Sequence, residues 1–217
     1  MHRTTDIFQK LIGLLLFTAV SVDAFPARYG AAADDWKLGT EKDGIKVYTR
    51  KTEQSKMRTS RAEMFVPVSV DQILSVLNDF NSYGGWFPSC KDARILKRIN
   101  DHEFMAILTY KTPWPLPNLD CVERVILDRK PGNDTSYIRV KAEPDYAPMV
   151  KDVSRVKQME ASWKLISVKG GTYVINEYYS DMGGLVPAWI GNTQAVEIPY
   201  NIFSGIKQRI IALFKKK

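Results

Sequence analysis

The stretch that decides the fold is DMGGLVPAWIGNTQAVEIPYNIFSGIKQRIIALF, residues 181–214. It predicts the end of a strand, a turn at Gly183-Gly184, and a long helix that Pro187 opens, where the missing N–H costs nothing. A helix with one largely apolar face must lie across an apolar surface. The residues of this face recur at alternating spacings of three and four: Trp189, Asn192, Val196, Pro199, Phe203, Ile206, Ile210 and Leu213.

Two features of this segment predict movement. Pro199 removes a backbone hydrogen bond midway along the helix, which predicts a kink. Gly183-Gly184 is then a predicted hinge, so that the half of the helix before Pro199 moves as a lid while the half after it stays packed. Asn192 is the polar residue on the apolar face, and it needs a buried partner in the backbone, in water or in a headgroup.

The chain before the helix is predicted to be mostly sheet. A Lys-Asp-Gly turn at 42–44 is a hairpin signal. Ser69 is the predicted N-cap of a short helix, and residues 81–88 and 143–154 are predicted to be connections. Nine segments have the composition of strands bounded by turn residues: 36–41, 45–51, 57–66, 93–99, 103–111, 120–129, 137–142, 157–168 and 172–181.

These elements predict an α+β fold. A sheet of about nine antiparallel strands curls strongly, and with one long helix across it a cavity is left between the two. Residues 112–118 contain three prolines, which exclude both a helix and the hydrogen-bond ladder of a β-sheet, and they predict a stiff exposed loop. That loop carries Trp114 and Leu116, for which the sequence offers no core to enter.

Composition indicates one globular domain. The chain has 217 residues, of which 45% are hydrophobic and 25% charged, enough for one well-buried core. The mean hydropathy of −0.24 argues against an integral membrane protein. The formal net charge of +7 favours contact with an anionic surface. Basic residues do not cluster with aromatic residues as nucleic-acid binding requires, so we predict a membrane and not a nucleic acid.

The N-terminus has the pattern of a targeting segment. Arg3 and Lys10 precede a twelve-residue apolar run, 11–22, and small residues flank Asp23. This run is shorter than the roughly 20 residues of a spanning helix, so we predict a cleaved signal peptide over 1–24 and export, to a periplasm. The alternative is an uncleaved membrane anchor. A linker over 25–34, a domain over 35–214 and a basic tail over 215–217 complete the predicted organisation.

Two cysteines, Cys90 and Cys121, are predicted to flank a central strand on opposite sides. Two strand spacings separate them by roughly 10 Å, which is too far for a disulfide. We therefore expect two free, mostly buried thiols, although an exported protein would permit pairing.

The sequence lacks a recognisable catalytic or metal-binding pattern. His2 lies in the predicted signal and His102 beside a turn, and the spacings of Cys, His and Asp do not match a metal site. No glycine-rich phosphate loop is present either. We predict a non-enzymatic protein without a cofactor.

Glu123 leaves two alternatives open. Alternation puts Cys121, Glu123 and Val125 on one face of a strand, with Val122 and Arg124 on the other. Each face carries both apolar and polar residues, so the pattern does not show which face is buried. Glu123 either points into the cavity, where it needs a partner, or lies at the rim of the sheet and is wetted.

Several motifs resemble the START lipid-transfer domain family over roughly residues 35–214. They are Trp36 with DGIKVYTR at 43–50, the Trp86-Phe87-Pro88 loop, the proline-rich loop into Asp120, and DMGGLVPAWIGN at 181–192 with Pro199. The last is the most specific, because its residues fall in the family's order and spacing. The resemblance implies the helix-grip fold, in which an antiparallel sheet wraps around a long C-terminal helix and encloses one lipid. The predicted signal resembles that of exported bacterial members.

The chain also departs from the family. Some sterol-binding members bury an acid–arginine pair on two central strands, and the matching positions here are Ala106 and Val125. Both are apolar, so a sterol hydroxyl would lack that anchor. Leu119-Asp120 stands where the family commonly has Arg-Asp.

The leading functional prediction is a monomer that binds a single lipid and transfers it between membranes. Trp114, Leu116 and the basic tail Lys215, Lys216 and Lys217 are predicted to contact an anionic membrane surface transiently. The candidate ligand-binding residues come from two strands and the long helix: Phe104, Ala106, Leu108, Tyr110, Cys121, Glu123, Val125, Trp189, Asn192, Val196, Tyr200 and Phe203.

Two alternatives belong to other functional classes. The resemblance extends to cyclase- and aromatase-like enzymes of the same superfamily, for which Glu123, Tyr110 and Tyr178 could serve. A cavity acid with a raised pKa close to a tyrosine would favour that enzyme. The other alternative is a ligand sensor that binds a partner protein, which an exposed apolar patch away from the cavity mouth would favour.

Overall fold

The computed structural model describes residues 35–52, 55–129, 132–181 and 188–214. Within these ranges the chain forms one sheet, two α-helices and a short 3-10 helix. The ten strands are β1 (Lys37–Lys42), β2 (Ile45–Thr52), β3 (Ser55–Val66), β4 (Cys90–Asn100), β5 (Glu103–Tyr110), β6 (Asn118–Arg129), β7 (Thr135–Ala142), β8 (Val153–Arg155), β9 (Gln158–Val168) and β10 (Gly171–Asp181).

The strand order is β1-β2-β3-β10-β9-β7-β6-β5-β4, with every neighbour antiparallel. β3 pairs with β10, which joins the first part of the sheet to the last strand. The predicted antiparallel sheet with a long C-terminal helix is therefore confirmed. The tenth strand, β8, was not predicted: it has three residues, too few to show a period, and it pairs in parallel with the start of β6.

Local sequence signals explain two of the connections. Asp43 and Gly44 both have positive φ, 55° and 75°, as the predicted two-residue hairpin between β1 and β2 requires. Helix α1 (Val70–Leu77) begins with the predicted cap: the Ser69 hydroxyl accepts from the backbone N–H of Gln72, whose side chain accepts from the N–H of Ser69.

The segment predicted as a loop over 81–88 contains a 3-10 helix, Phe80–Gly85. Aromatic packing accounts for this order. The Tyr83 ring stacks between Phe80 and Phe87, with centroid distances of 4.8 and 5.1 Å, and Trp86 meets the edge of Tyr83 at 4.9 Å. We call Phe80–Phe87 the aromatic segment.

Helix α2 (Ala188–Phe214) runs through Pro199 and crosses β2 and β3. Its middle is buried at Ile202, Phe203, Ile206 and Ile210, whereas both ends are exposed. Gly205 permits a close approach to the aromatic segment, since a Cβ there would lie 2.6 Å from the carbonyl oxygen of Trp86. The predicted hinge Gly183-Gly184 and the predicted helix start at Pro187 lie outside the described residues.

Cys90 on β4 and Cys121 on β6 are separated by β5, where they pair in register with Tyr110 and Leu108. Both thiols are free and buried, as predicted. Among the described residues, no helix has the length and apolar character needed to cross a membrane.

Candidate functional site

A cavity of about 100 Å³ lies between the sheet, the aromatic segment and α2. The wall of the cavity consists largely of strand side chains. Successive side chains of a strand point to opposite faces of the sheet, so every second residue of β5, β6, β7, β9 and β10 faces inward. The predicted residues that line it are Leu108, Tyr110, Cys121, Glu123 and Val125. They are joined by Leu77, Asn78, Phe80, Tyr83, Phe87, Ile138, Val140, Val156, Met159, Ala161, Trp163, Asn176, Tyr178 and Ile202.

Glu123 points into this cavity and is 7% exposed, which decides between the two alternatives that the sequence left open. Burial raises the pKa of its carboxyl group to about 8, an effect that a hydrogen bond from Cys121 opposes. None of the ion pairs between described residues includes Glu123. Near neutral pH the carboxyl group is therefore mostly protonated, and it can donate one hydrogen bond and accept another.

Phenol groups surround this carboxyl group. Burial raises the pKa of Tyr110 well above its ordinary value and that of Tyr178 to about 12. Burial likewise raises the pKa of Tyr83, whose hydroxyl donates to the carbonyl oxygen of Leu77 at 2.5 Å. All three phenols stay neutral at ordinary pH, so the cavity is apolar with a few uncharged hydrogen-bonding groups.

Seven of the predicted ligand-binding residues do not line the cavity. Phe104, Ala106 and Phe203 lie in the hydrophobic core, where Phe203 stacks on Trp163 at 5.8 Å. The other four, Trp189, Asn192, Val196 and Tyr200, belong to the first half of α2, residues 188–200. That half overlies β1, β2 and β3 instead of the cavity, because the cavity lies under Ile202 in the second half.

The first half of α2 is held to the sheet by polar contacts. The side-chain oxygen of Asn192 accepts from the backbone N–H of Arg58 at 2.9 Å, and its amide nitrogen donates to the carbonyl oxygen of Lys56 at 3.0 Å. The partner that Asn192 requires is therefore the backbone of β3. The Tyr200 hydroxyl donates to Asp43 at 2.6 Å, and Trp189 is 73% exposed.

A buried ion pair that the sequence did not reveal lies beside the cavity wall. Arg155 donates to both carboxylate oxygens of Asp120, at 2.9 and 2.7 Å, and both side chains are almost fully buried. Its guanidinium also donates to the carbonyl oxygens of Pro144, Ala147 and Pro148. Arg155 thus anchors the 143–152 connection against the start of β6.

Of the predicted membrane-contact residues, Trp114 is 92% exposed and Leu116 is half-buried in the proline-rich loop. Lys215, Lys216 and Lys217 lie outside the described residues. Within the described ranges, no group of three or more His, Cys, Asp or Glu residues is placed to hold a metal ion.

Known proteins resemble this chain over most of its length. The family described as "Polyketide cyclase / dehydrase and lipid transport" matches residues 66–197. An uncharacterized protein of Pseudomonas aeruginosa is 30% identical over 199 residues, 90% of this chain and 96% of that protein. Mouse phosphatidylcholine transfer protein is 28% identical over 176 residues, 78% of this chain and 79% of that protein.

Among solved structures, a STAR-related lipid transfer protein from Xanthomonas axonopodis is similar, with a TM-score of 0.77 and 31% identity. The similarity covers 82% of this chain and 99% of that one. The TM-score shows that the two chains share one fold. This chain belongs to the polyketide cyclase/dehydrase and lipid-transport family, and it is a START-type helix-grip protein within that family.

Proposed function

We propose that the protein binds one lipid, or another hydrophobic molecule of similar size, in the internal cavity and transfers it between membranes. The observation that carries this proposal is the mainly apolar cavity beneath the second half of α2. An acyl chain that enters such a cavity gains about 0.8 kcal/mol for each buried CH₂ group. The relatives that are named lipid transfer proteins support the same function.

Binding a whole lipid requires the cavity to widen. Its volume of about 100 Å³ is of the size that holds a small hydrocarbon fragment. The part of α2 before Pro199 is the predicted lid. It is held to the sheet by the hydrogen bonds of Asn192, by the Ser60 hydroxyl that donates to the Ala195 carbonyl oxygen, and by the half-buried side chains of Val196 and Ile198. Because Ile202 lies over the cavity, widening also requires Ile202 to move with the lid, whereas the fully buried Ile206 and Ile210 would stay in place.

Filling the cavity tests this proposal directly. Ala161→Phe adds a ring on the inner face of β9, where Ala161 lines the cavity. Displacing even two methylene groups of a bound chain lowers its affinity by about 1.6 kcal/mol, more than tenfold. We expect that loss in titrations with a fluorescent fatty acid, and loss of co-purifying lipid in native mass spectrometry.

Ser162→Phe is the matched control, because Ser162 is the next residue of β9 and is exposed on the other face. It should bind the fatty acid as the wild type does. Equal affinity of the Ala161→Phe protein and the wild type would contradict the proposed location of the ligand.

The transfer step would use the end of the sheet that carries the proline-rich loop. Trp114 precedes β6, and the exposed residues Met149 and Val150 precede β8. Since β6 and β8 run in parallel, with Asn118 paired to Val153, the two loops lie side by side. The two loops carry four apolar residues at this end of the sheet, which we call the loop patch: Trp114, Leu116, Met149 and Val150.

Exposed lysines flank the loop patch. Lys111 begins its first loop, Lys151 lies within the second, and Lys157 follows β8. Each basic residue near an anionic membrane surface contributes about 1 kcal/mol of attraction. An anionic bilayer is thus the surface that the loop patch fits, and Tyr110 and Met159 place the cavity at the same end of the sheet.

We expect the double variant Trp114→Ser/Leu116→Ser to slow lipid transfer between anionic vesicles without weakening the fold. Because Trp114 makes little contact with the folded chain, its replacement should weaken contact with the membrane and leave the stability of the fold unchanged. Transfer of a fluorescent lipid and urea unfolding measure the two effects. Ile99→Ser, which changes an exposed apolar residue at the end of β4 far from the loop patch, is the control. An unchanged transfer rate in the double variant would contradict the membrane contact.

The predicted export and the monomeric state remain parts of this proposal. Residues 1–24, which carry the targeting pattern, lie outside the described residues. Fractionation of cells that express the full chain, with mass measurement of the mature N-terminus, tests export and cleavage together. Retention of an intact N-terminus in the membrane fraction would favour the uncleaved anchor.

A second candidate function, cyclase or dehydratase chemistry, is favoured by one observation. Glu123 is a protonated carboxyl group in an apolar cavity that Tyr110 and Tyr178 also line, which is the arrangement a general acid needs. Incubation with a poly-β-ketone chain separates the two functions. Loss of water that depends on Glu123 would show an enzyme, whereas recovery of the chain unchanged is expected for a binding protein.

A further inference from the structure

Glu123 carries more information about the ligand than the rest of the cavity does. Among the described residues that line the cavity, it alone has a carboxyl group, and Lys and Arg are absent from that lining. Its side chain is more than nine-tenths buried, and the nearest donor is the thiol of Cys121, a weak donor that also donates to the carbonyl oxygen of Val122. A buried carboxyl group that makes so few hydrogen bonds requires a further hydrogen-bonding partner.

The groups that face Glu123 are neutral. Ala106 lies opposite it in the ladder of β5 and β6, and Ala142 lies opposite it in the ladder of β6 and β7. Titratable groups approach from four other places: Tyr110 on β5, Tyr178 on β10, Cys90 on β4 and Tyr83 in the aromatic segment. The lining residues from β7, β9 and α2 do not titrate: Ile138, Val140, Met159, Ala161, Trp163 and Ile202.

We propose that the ligand is an uncharged lipid with a hydroxyl group, and that Glu123 in its protonated form exchanges two hydrogen bonds with that hydroxyl. This inference rests on the proposed lipid-binding function and names the class of lipid. A protonated carboxyl group offers one donor and one acceptor side by side, and a hydroxyl group offers the complementary pair. The hydroxyls of Tyr110 and Tyr178 line the same cavity and extend the polar site.

Two other ligand classes fit less well. A pure hydrocarbon would leave the carboxyl group unpaired after water has been expelled, which is the costly arrangement for a buried polar group. An ammonium group would have to be desolvated together with a carboxylate, in a wall where the described residues supply no further charge. Of these three classes, the lipid with a hydroxyl group is the one that satisfies the carboxyl group without placing a charge in the cavity.

The experiment compares three chains of equal length by displacement of an apolar fluorescent probe from the full-length protein. The competitors are dodecanol, dodecyl methyl ether, which accepts but does not donate, and dodecylamine. For the wild type well below pH 8, we expect dodecanol to bind about tenfold more tightly than the ether, the effect of a missing hydrogen bond that leaves its partner unpaired. Dodecylamine should bind more weakly than dodecanol.

Variants at Glu123 test whether this residue causes the preference for the alcohol over the ether. Glu123→Leu should bind the alcohol and the ether equally, whereas Glu123→Gln, whose amide also donates and accepts, should still prefer the alcohol. Should the leucine variant fail to fold, raising the pH above 8 supplies a second test. The ionised carboxylate only accepts and the ether has no donor, so the preference of the wild type for the alcohol should grow, whereas that of the glutamine variant should not change with pH.

Three outcomes would overturn the inference. Equal affinity of the wild type for alcohol and ether excludes the hydroxyl contact while leaving lipid binding intact. Tightest binding of dodecylamine, lost in Glu123→Gln, would indicate a cationic ligand instead. Failure of all three chains to displace the probe would remove the proposed lipid-binding function itself, and this inference with it.

Discussion

Replacement of Arg155 by Ala lowers the free energy of unfolding by about 3–5 kcal/mol, because it leaves the carboxylate of Asp120 buried without its counter-charge. Both side chains are almost completely inaccessible to solvent, and Arg155 also donates to three carbonyl oxygens of the 143–152 connection. The change therefore removes the counter-charge of Asp120 together with the hydrogen bonds that hold this connection. Urea unfolding followed by circular dichroism measures the loss.

Two comparisons separate the buried charge from loss of packing. Arg155→Met combined with Asp120→Leu removes both charges and should recover most of the stability, since an apolar pair of similar volume is often as stable as a buried ion pair. Arg139→Ala breaks the exposed pair with Asp128 and should cost at most about 1 kcal/mol. If Arg155→Ala cost no more than Arg139→Ala, the anchoring role of Arg155 would be wrong.

The sequence predicted the elements whose residues repeat with a regular period. The strands before α2 and the length of the helix follow from such repeats, and the hairpin at Asp43-Gly44 and the cap at Ser69 follow from turn and cap chemistry. A three-residue strand such as β8 has no period to detect. Arg155 therefore looked like a residue in a polar connection, and its partner Asp120 lies 35 residues away in the chain.

The candidate site was only partly predictable. Alternation along β5 and β6 correctly grouped Leu108, Tyr110, Cys121, Glu123 and Val125 on the cavity side. It could not decide between the two faces of β6, because Val122 on the outer face is fully buried as well.

The helix was harder to place, because periodicity identifies its apolar face but not the part of the sheet that each turn covers. Asn192 and Ile202 illustrate the difference: the former bonds to the backbone of β3, and the latter closes the cavity.

The stability of the wild type relative to Glu123→Gln is expected to fall as the pH rises from 4.5 to about 8. In the unfolded chain the carboxyl group has its ordinary pKa of 4.5, whereas in the folded cavity burial raises that pKa to about 8. Over this interval the folded state holds a proton that the unfolded state has released. The stabilisation is complete below pH 4.5 and is lost progressively until the pH exceeds the folded value.

At about 1.36 kcal/mol for each unit of pKa, the full difference between the two proteins is at most about 5 kcal/mol. Glutamine carries the same hydrogen-bonding groups without a titration, so the difference between the two unfolding curves cancels every other ionisable group in the chain. Urea unfolding of both proteins across the interval gives that difference directly. Parallel curves would mean that the folded protein hydrates or pairs the carboxylate, in which case the cavity around Glu123 is open to water and could not hold a protonated acid for the ligand. A falling difference requires a dry cavity wall at Glu123, the condition on which selective binding of a hydroxyl group depends.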